Sequence, residues 1–241
     1  MEEQLKYLKL GFISQNYEAL ARQAENKKWS HIHYLEELVT GEANLKRDRS
    51  TQRRIRLARF PQIKTLEQFK WTWPKKINKA HVQSLFHLKF IEQKANVIFL
   101  GGVGLGKTHL AAALGYAACL KSHSVLFATA ISVINNLSAA KNIGRLKEEL
   151  KKYCKPNLLI LDELGYLPID DAGAHLLFQI ISERYEKGST IITTNKAFKN
   201  WAEIFNNDAT LASAILDRLL HHAETILIEG QSFRMKDKIE A

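Results

Sequence analysis

The apolar residues of this chain follow two different periods, and the change falls between residues 60 and 97. Up to residue 60, apolar positions such as Leu5, Leu8 and Phe12 recur at spacings of three and four, which predicts helices. Further along, short uninterrupted apolar runs alternate with longer helical stretches. We predict strands at residues 97–100, 125–128, 158–161, 190–192 and 225–228.

Two prolines, Pro61 and Pro74, mark this change within the segment FPQIKTLEQFKWTWPKK, residues 60–76. Strands that alternate with helices are typical of βαβ units, in which helices cover both faces of a parallel sheet. We therefore predict an α/β fold with a parallel five-stranded sheet. A small all-helical N-terminal domain, residues 1–64, precedes the α/β domain, residues 65–241.

A glycine-rich segment follows the first predicted strand and leads into an alanine-rich helix. Its sequence, GGVGLGKT, matches the phosphate-binding loop, the P-loop, of P-loop NTPases. In such a loop the backbone amides and the helix N-terminus contact phosphates, the lysine reaches the terminal phosphates, and the threonine hydroxyl binds Mg²⁺. We assign nucleotide binding to Gly101, Gly102, Val103, Gly104, Leu105, Gly106, Lys107, Thr108 and His109.

Two adjacent carboxylates end the third predicted strand, in NLLILDELGYLP, residues 157–168. Acidic residues are disfavoured in buried strands and need a partner. The carboxyl ends of parallel strands converge on the ligand crevice, so Asp162 is expected beside the Mg²⁺ with Thr108. Glu163 points differently and is placed to activate the water that attacks the γ-phosphate, which predicts hydrolysis.

The next strand, in GSTIITTNKAF at residues 188–198, also ends on polar side chains. Asn195 can orient the attacking water or contact the γ-phosphate, which would make it catalytic together with Lys107 and Glu163. Asparagine at a strand end is also a common turn former, so both interpretations stay open. Phe198 stands two residues after Lys196, and the Asn-Lys-x-Asp of guanine-specific GTPases is absent.

Positive charge is concentrated in the first third of the chain. Residues 1–80 contain 17 Lys/Arg and 9 Asp/Glu, whereas residues 81–241 contain 18 and 16. The stretch KRDRSTQRRIRLARFP, residues 46–61, is predicted to present a basic helix face to DNA phosphates through Lys46, Arg47, Arg49, Arg53, Arg54, Arg56 and Arg59. A basic run is otherwise a solvated face. No base-reading motif is evident, so we expect weakly sequence-specific binding to double-stranded DNA.

Several classes of protein are disfavoured by the sequence. The N-terminus, MEEQLKYLKLGF, is unlike a signal peptide, and the longest uncharged stretch contains eight polar residues, so we expect no membrane association. Cys119 and Cys154 have no metal-type spacing, and a reducing cytoplasm is expected. His221 and His222 lack an evident third ligand, so we predict no metal site there. Trp71 and Trp73 alternate as in a strand and are expected to cover the edge of the core, although Phe69 and the neighbouring backbone could border the base of a bound nucleotide.

Five segments together resemble the IstB family, the helper AAA+ ATPases of bacterial insertion sequences. They are GVGLGKTHLAAALG, LLILDELGYLPID, LLFQIISERYEKGSTIITTNKAF, LASAILDRLLHHAETILIEGQSFRMK and RRIRLARFPQIKTLEQFKW. The resemblance covers residues 5–238 and extends to the DnaC and DnaI type of helicase loader, which share the ATPase core. Val103 and Thr194 replace a proline and a serine that are common in the family, and neither change removes a ligand.

The resemblance implies an AAA+ ATPase that binds ATP and Mg²⁺, forms homo-oligomers on target DNA, recruits or stimulates a transposase, and is released on hydrolysis. It also places Arg218 as an arginine finger that completes the site of a neighbouring subunit. From the residues alone, Arg218 is interpreted instead as a salt-bridge partner of a nearby acid such as Asp217 or Glu224.

Two further expectations concern the C-terminal end and the function. Arg234 is a candidate nucleotide ligand, or else a solvated residue of the tail. Only seven residues follow it, too few for the helical lid of many AAA+ proteins, so no C-terminal lid is expected. A loader of a replicative helicase is the alternative function; the basic N-terminal third, without a metal-ligand set, favours the transposition helper.

Overall fold

A computed structural model describes residues 1–233, so Arg234 and the region expected to lack a lid lie outside the described residues. The first 58 residues are helical, as the apolar spacing predicts. They form three helices: α1 (Glu2–Tyr7), α2 (Gly11–Asn26) and α3 (His31–Ala58). Glu42 of α3 accepts hydrogen bonds from the backbone N–H groups of Phe12 at 2.8 Å and Ile13 at 3.2 Å, which satisfies orphan donors in the first turn of α2.

Strands and helices alternate in the remainder of the described chain. The strands are β1 (Asn96–Gly101), β2 (Val125–Thr129), β3 (Leu158–Leu164), β4 (Ser189–Thr194) and β5 (Ala223–Ile228). The helices are α4 (Lys79–Leu85), α5 (Lys89–Glu92), α6 (Lys107–Leu120), α7 (Ala130–Asn142), α8 (Leu146–Cys154), α9 (Asp171–Arg184) and α10 (Ala209–Leu220), with a 3-10 helix at Phe198–Phe205. All five predicted strands are confirmed.

The five strands form one parallel sheet in the order β2-β3-β4-β1-β5. Its carboxyl edge therefore gathers the loops that follow β1, β3 and β4, which carry the predicted site residues. The pairing of β3 with β4 shifts register between Leu161 and Leu164, which marks a bulge at Asp162 and Glu163.

Apolar side chains fill both faces of the sheet. Along the strands they alternate, so that Ile98, Leu161 and Ile192 pack on one side while Phe99 and Ile160 pack on the other. Helices α7, α9 and α10 contribute to the first side, and α6 contributes to the second. This three-layer arrangement is the predicted α/β architecture.

The chain divides into two compact units, Met1–Arg53 and the part from Arg54 onward. This division falls inside α3, and the domain boundary between residues 64 and 65 stays a prediction. The end of α3 belongs to the second unit because residues after Arg53 pack with the α/β core. Ala58 is fully buried there, and Arg54 Nε donates to the Cys119 carbonyl at 3.0 Å. The tryptophans Trp71 and Trp73 lie in turns and not in the strand that their alternation suggested.

Candidate nucleotide-binding site

The phosphate-binding loop joins β1 to α6, and its glycines are required by the backbone path. Gly104 and Gly106 have φ angles of 76° and 87°, the left-handed region that favours glycine. A Cβ on Gly101 would lie 2.2 Å from the carbonyl oxygen of Ile228 on the paired strand β5. The loop therefore follows the edge of the sheet closely and turns directly into the N-terminus of α6, where backbone N–H groups favour an anion.

Lys107 is the first residue of α6 and is only 4% exposed. Its Nζ donates to the carbonyl oxygens of Gly101 at 2.8 Å and Gly102 at 2.7 Å, and it lies 5.7 Å from the centre of the Tyr166 ring. The ammonium group is thus held at the phosphate loop itself. A bound triphosphate would offer it charged oxygens in exchange for these neutral carbonyls.

Thr108 and Asp162 lie in direct contact although they are 54 positions apart in the sequence. The Thr108 hydroxyl is 3.0 Å from Oδ1 and 3.1 Å from Oδ2 of Asp162, and the carboxylate, 3% exposed, also accepts from the Thr193 hydroxyl. A hydroxyl and a carboxylate beside a phosphate loop are the oxygen donors that Mg²⁺ prefers. Thr108 and Asp162 therefore fit a Mg²⁺ ion bound together with a nucleotide.

Glu163 faces a different direction from its neighbour. It is exposed, it lines the cavity above the phosphate loop, and its φ is +60°. Its backbone N–H donates to the Thr193 hydroxyl at 2.9 Å, so one threonine of β4 holds both acidic residues in place. Successive side chains of a strand point to opposite faces, which accounts for the divergence of Asp162 and Glu163; the bulge in β3 lies at the same two residues.

Asn195 follows the last residue of β4. Its amide oxygen Oδ1 is buried and has no hydrogen-bond partner within residues 1–233. A buried acceptor without a partner costs about 1–3 kcal/mol, so a group supplied by a ligand or an ordered water would relieve it. Asn195 lies two residues after Thr193. Its Oδ1 is available to accept a hydrogen bond from a water molecule, although Asn195 does not line the cavity.

A cavity of about 690 Å³ extends from the phosphate loop along the N-terminus of α6. Lys107, Glu163 and Tyr166 line one end, and Phe69 and His109 line another part of the wall. The remaining lining residues belong to residues 61–74, to residues 103–112 and to position 233. They are Pro61, Gln62, Ile63, Lys64, Gln68, Lys70, Trp73, Pro74, Val103, Gly104, Leu105, Gly106, Thr108, Ala112 and Phe233. The volume and the mixture of aromatic and polar walls suit a nucleotide.

His109 forms part of the wall beside Phe69. Its Nε2 is 2.9 Å from the carbonyl oxygen of Thr65, and its ring packs edge to face with Phe69 at 5.4 Å between centres. Burial lowers the pKa of His109, the Thr65 carbonyl raises it, and the positive charge of Lys64 lowers it, with a net decrease from the ordinary value. A neutral imidazole therefore donates Nε2–H to Thr65 and stabilises this wall.

Trp73, Tyr166 and Phe233 are among the residues of the cavity wall that were not assigned to the site from the sequence. Trp73 Nε1 donates to the Gln231 carbonyl at 2.9 Å, and the N–H of Phe233 donates to the Gly104 carbonyl at 3.0 Å. Trp71 packs against Phe69 at 4.9 Å between ring centres and joins the core, as expected. In the sequence, Tyr166 stands three residues after Glu163, and this proximity to the two acidic residues was the local feature that could have assigned it to the site.

Arg218 lies on α10 and does not line this cavity. Its Nη1 donates to the Ala214 carbonyl at 3.0 Å, and its guanidinium lies 4.7 Å from the centre of the Phe178 ring. Within residues 1–233 it forms no ion pair with Asp217, and Glu224 is instead bound to His81 at 2.7 Å. The structure therefore brings Lys107, Thr108 and Asp162 together and leaves Arg218 apart from them.

The basic residues predicted to bind DNA lie on α3 and directly after it. Lys46, Arg49, Arg53 and Arg56 are exposed and recur at helical spacing. The others differ in their surroundings: Arg47 is exposed and donates to Asn44 at 3.3 Å, Arg54 donates to the Cys119 carbonyl, and Arg59 follows the helix with a φ of +59°.

Within residues 1–233, no helix is long and apolar enough to cross a membrane.

Comparison with known proteins finds a family model and relatives that describe the same kind of protein. The family model described as IstB-like ATP binding protein matches residues 3–241. The chain is 43% identical to the insertion sequence IS21 ATP-binding protein of Pseudomonas aeruginosa over 241 residues, which cover 100% of this chain and 91% of that protein. It is 42% identical to the IS232 ATP-binding protein of Bacillus thuringiensis subsp. berliner over 233 residues, which cover 97% and 93%.

Among solved structures, the DnaC helicase loader is similar, with a TM-score of 0.55 and 25% identity over 68% of this chain and 96% of that chain. The part of the chain that carries the sheet therefore has the AAA+ P-loop fold. The expected resemblance to insertion-sequence ATPases, with helicase loaders as structural neighbours, is confirmed.

Proposed function

Because the chain belongs to the family of IstB-like ATP-binding proteins, we propose that it is a Mg²⁺-dependent ATPase that assembles on target DNA and recruits a transposase. Hydrolysis of ATP then drives its release. The observation that carries the catalytic part is the contact of Thr108 with Asp162 beside Lys107, with Glu163 facing the same cavity.

The ATP phosphates bind at the loop of Gly101 to Gly106 and at the N-terminus of α6. Lys107 exchanges the carbonyls of Gly101 and Gly102 for the terminal phosphates, and Thr108 and Asp162 hold Mg²⁺. The metal ion neutralises phosphate charge when it is bound. The base occupies the part of the cavity bounded by Phe69 and His109, where an aromatic wall provides stacking surface.

Hydrolysis requires a base for the attacking water, and Glu163 is the carboxylate of β3 that faces the cavity. Asn195 orients the same water through its unpartnered amide oxygen. The test is Glu163→Gln, which keeps the shape of the side chain but removes the base. We expect ATP binding to be retained and the rate of hydrolysis to fall about 10²–10⁴-fold.

A matched control for this test is Glu148→Gln, which changes an exposed glutamate of α8. Hydrolysis is measured as phosphate release, and nucleotide binding is measured separately by equilibrium dialysis. A Glu163→Gln protein that hydrolyses ATP at the normal rate would falsify the assigned role. If neither protein binds ATP, the proposal as a whole fails.

Arg218 completes the site of a neighbouring subunit in this proposal. Two observations support a role in trans: Arg218 lies outside its own cavity, and it has no carboxylate partner in the described residues. An arginine supplied by a neighbour stabilises charge that develops on the transferred phosphoryl group. The protein therefore acts as a homo-oligomer.

The test mixes two inactive variants, Arg218→Ala and Lys107→Ala. In a mixed assembly, an intact Lys107 site of one chain can meet an intact Arg218 of the other, so part of the ATPase activity returns. If the mixture has only the summed ATPase activity of the two variants measured separately, the result contradicts an arginine finger that acts in trans. Assembly of each variant is checked by sedimentation, because an arginine needed only for assembly would also reduce activity.

DNA binding is assigned to the exposed basic face of α3. Arginines on one helix face contact phosphates and release counterions, so binding weakens with salt and shows little sequence preference. We expect Arg49→Ala, Arg53→Ala and Arg56→Ala together to weaken duplex binding on all sequences and to reduce the salt slope by about one per contact. Fluorescence anisotropy of labelled duplexes at several salt concentrations measures both.

A triple variant with the same loss of charge elsewhere provides the control: Lys141→Ala, Lys147→Ala and Lys151→Ala are exposed substitutions on α7 and α8. An equal effect of both triple variants would show a general charge effect and would move the DNA surface away from α3. Arg54 is left unchanged, because its bond to the Cys119 carbonyl supports the fold.

The alternative function, loading of a replicative helicase, is supported by the similarity to the DnaC helicase loader. The family and the relatives named for insertion sequences favour the transposition helper. The deciding experiment is capture on duplex DNA by the ATP-bound Glu163→Gln protein. We expect it to retain the transposase of its insertion sequence and not a replicative helicase; the reverse result selects the loader.

A further inference from the structure

The end of α10 carries a group of side chains that the nucleotide site does not use. Glu186, His221 and His222 each offer one ligand atom, and these three atoms lie within 4.8 Å of one another. Within residues 1–233 this is the one group of at least three His, Cys, Asp or Glu side chains with such proximity. Glu186 is the third ligand that the sequence did not reveal, since it is 35 positions before His221.

The local fold explains how two consecutive histidines come together. Helix α10 ends at Leu220, His221 is its C-terminal cap, and His222 stands directly before β5. The two imidazole rings are 4.1 Å apart between centres. Glu186 approaches from the turn between α9 and β4.

Tyr185 orients one of the two histidines. Its hydroxyl is 2.7 Å from Nδ1 of His221, and the two rings are stacked with 5.9 Å between centres. A histidine that binds a metal through one nitrogen usually donates the N–H of its other nitrogen to a polar neighbour. In the tautomer whose Nδ1–H donates to the Tyr185 oxygen, Nε2 of His221 carries the lone pair for a metal ion.

We propose that Glu186, His221 and His222 form a binding site for a divalent transition-metal ion of the Zn²⁺ class. Two imidazoles and one carboxylate are a ligand set suited to Zn²⁺, with water in the fourth position. Nitrogen ligands disfavour Mg²⁺ and Ca²⁺, so the site does not compete for the ion that accompanies ATP. Ligand atoms around tetrahedral Zn²⁺ are about 3.4 Å apart, which these exposed side chains reach by small rotations.

Such an ion would tie the turn after α9 to the end of α10. Arg218 lies one turn before His221 on the same helix, and a small cavity is lined by Tyr185, Glu186, Arg218 and His222. The site therefore adjoins the segment that carries the proposed arginine finger. Binding of the ion itself depends neither on ATP nor on an assembly.

The experiment uses the full chain without a histidine tag and titrates it with Zn²⁺ in competition with a chromophoric chelator. We expect one Zn²⁺ per chain at this site. Co²⁺ is used as a spectroscopic substitute, because tetrahedral Co²⁺ absorbs strongly in the visible range. We expect the double variant His221→Ala/His222→Ala to lose this binding, and Glu186→Gln and Tyr185→Phe each to weaken it about tenfold or more.

Two controls make the result decisive. His87→Ala removes an exposed histidine outside the group and is expected to bind Zn²⁺ as the unchanged chain does. Circular dichroism verifies that each variant is folded. Equal Zn²⁺ binding by the double variant and the unchanged chain, or the absence of binding in both, overturns the proposal. So does a cobalt spectrum with thiolate charge transfer, which would place the ion at Cys119 or Cys154.

Discussion

The Thr108 hydroxyl donates a hydrogen bond to the carboxylate of Asp162, with oxygen distances of 3.0 and 3.1 Å. One residue belongs to the first turn of α6 and the other to β3, so the contact joins the phosphate loop to the strand two places along the sheet from β1. The carboxylate is buried and keeps Thr108 and Thr193 as its partners. The pair therefore joins the phosphate loop to the strand that carries both acidic residues, beside the proposed sites of the nucleotide and the metal ion.

We expect Thr108→Ala to weaken Mg²⁺-dependent ATP binding about 10–100-fold, the range observed when groups around a metal ion are removed. The substitution removes one proposed ligand and leaves Asp162 with one hydroxyl partner. Thr108→Ser keeps the hydroxyl and is the matched control. Isothermal titration with and without Mg²⁺ measures the effect, and equal losses in both conditions would contradict a metal-binding role for Thr108.

The contact between Thr108 and Asp162 could be predicted from the sequence because both signals are local. The apolar run before Asp162 predicts a strand, the glycine pattern before Thr108 predicts a loop, and parallel strands place their carboxyl ends on one edge. The divergence of Asp162 and Glu163 was expected as well. It follows from the alternation of side chains along a strand. The bulge at these residues depends on the pairing of β3 with β4 and has no signature in the sequence of β3 alone.

The aromatic wall of the cavity could be predicted only in part. Phe69 was a candidate neighbour of the base, but Trp73 was expected only to pack at the edge of the core. Trp73 is placed by a hydrogen bond to the carbonyl of Gln231, which is 158 positions away in the sequence. Its apparent strand alternation was misleading because turns, which depend on such distant contacts, occupy this segment.

We expect Gly106→Ala to destabilise the nucleotide-free protein by about 1–3 kcal/mol, because alanine is strained in the left-handed region. Its φ is +87°, and a Cβ there would lie 2.6 Å from Cε2 of Phe69. Gly102→Ala is the control within the same loop, since its Cβ would meet only Cδ1 of Leu105, at 3.6 Å. Urea unfolding measures both, and equal stabilities of the two variants would argue against strain at Gly106.

The stability of the folded state is expected to decrease on acidification in part through His109. Burial holds the pKa of His109 below its ordinary value, so the unfolded chain binds a proton at a higher pH than the folded chain does. The contribution of His109 is complete above pH of about 6.5 and is lost as the pH falls toward the lower folded pKa.

His109→Gln tests this contribution, because the glutamine amide can still donate to the Thr65 carbonyl but does not titrate. We expect the free energy of unfolding to fall less steeply with decreasing pH in this variant, measured by urea unfolding from pH 7.5 down to pH 5. His87→Gln corrects for the loss of an exposed histidine. The same slope in His109→Gln and in the unchanged chain would contradict the assignment.

Arg184 holds the opposite edge of the sheet together and thereby fixes the strands that carry the site. Its guanidinium is 2% exposed, and within residues 1–233 it has no carboxylate partner. It donates instead to backbone carbonyls, those of Tyr153 and Pro156 at 2.9 Å each and that of Ser189 at 2.5 Å, and to the Thr190 hydroxyl at 3.1 Å. These groups lie at the end of α8, before β3 and at the start of β4.

Burial lowers the pKa of Arg184 to about 10, so the side chain keeps its charge at neutral pH. We expect Arg184→Met to destabilise the protein by about 3 kcal/mol or more, because several buried carbonyls lose a charged donor at once. Arg184→Lys keeps the charge but not the planar fork, so its loss should be smaller yet clear. Arg145→Met, an exposed substitution, is the control. Urea unfolding measures each variant.

Asp162 lies toward the other end of β3, and Asn195 follows the other end of β4. ATP affinity should therefore decline in the order of the stability losses. A destabilised Arg184→Met protein with unchanged ATP affinity would limit Arg184 to a purely structural role.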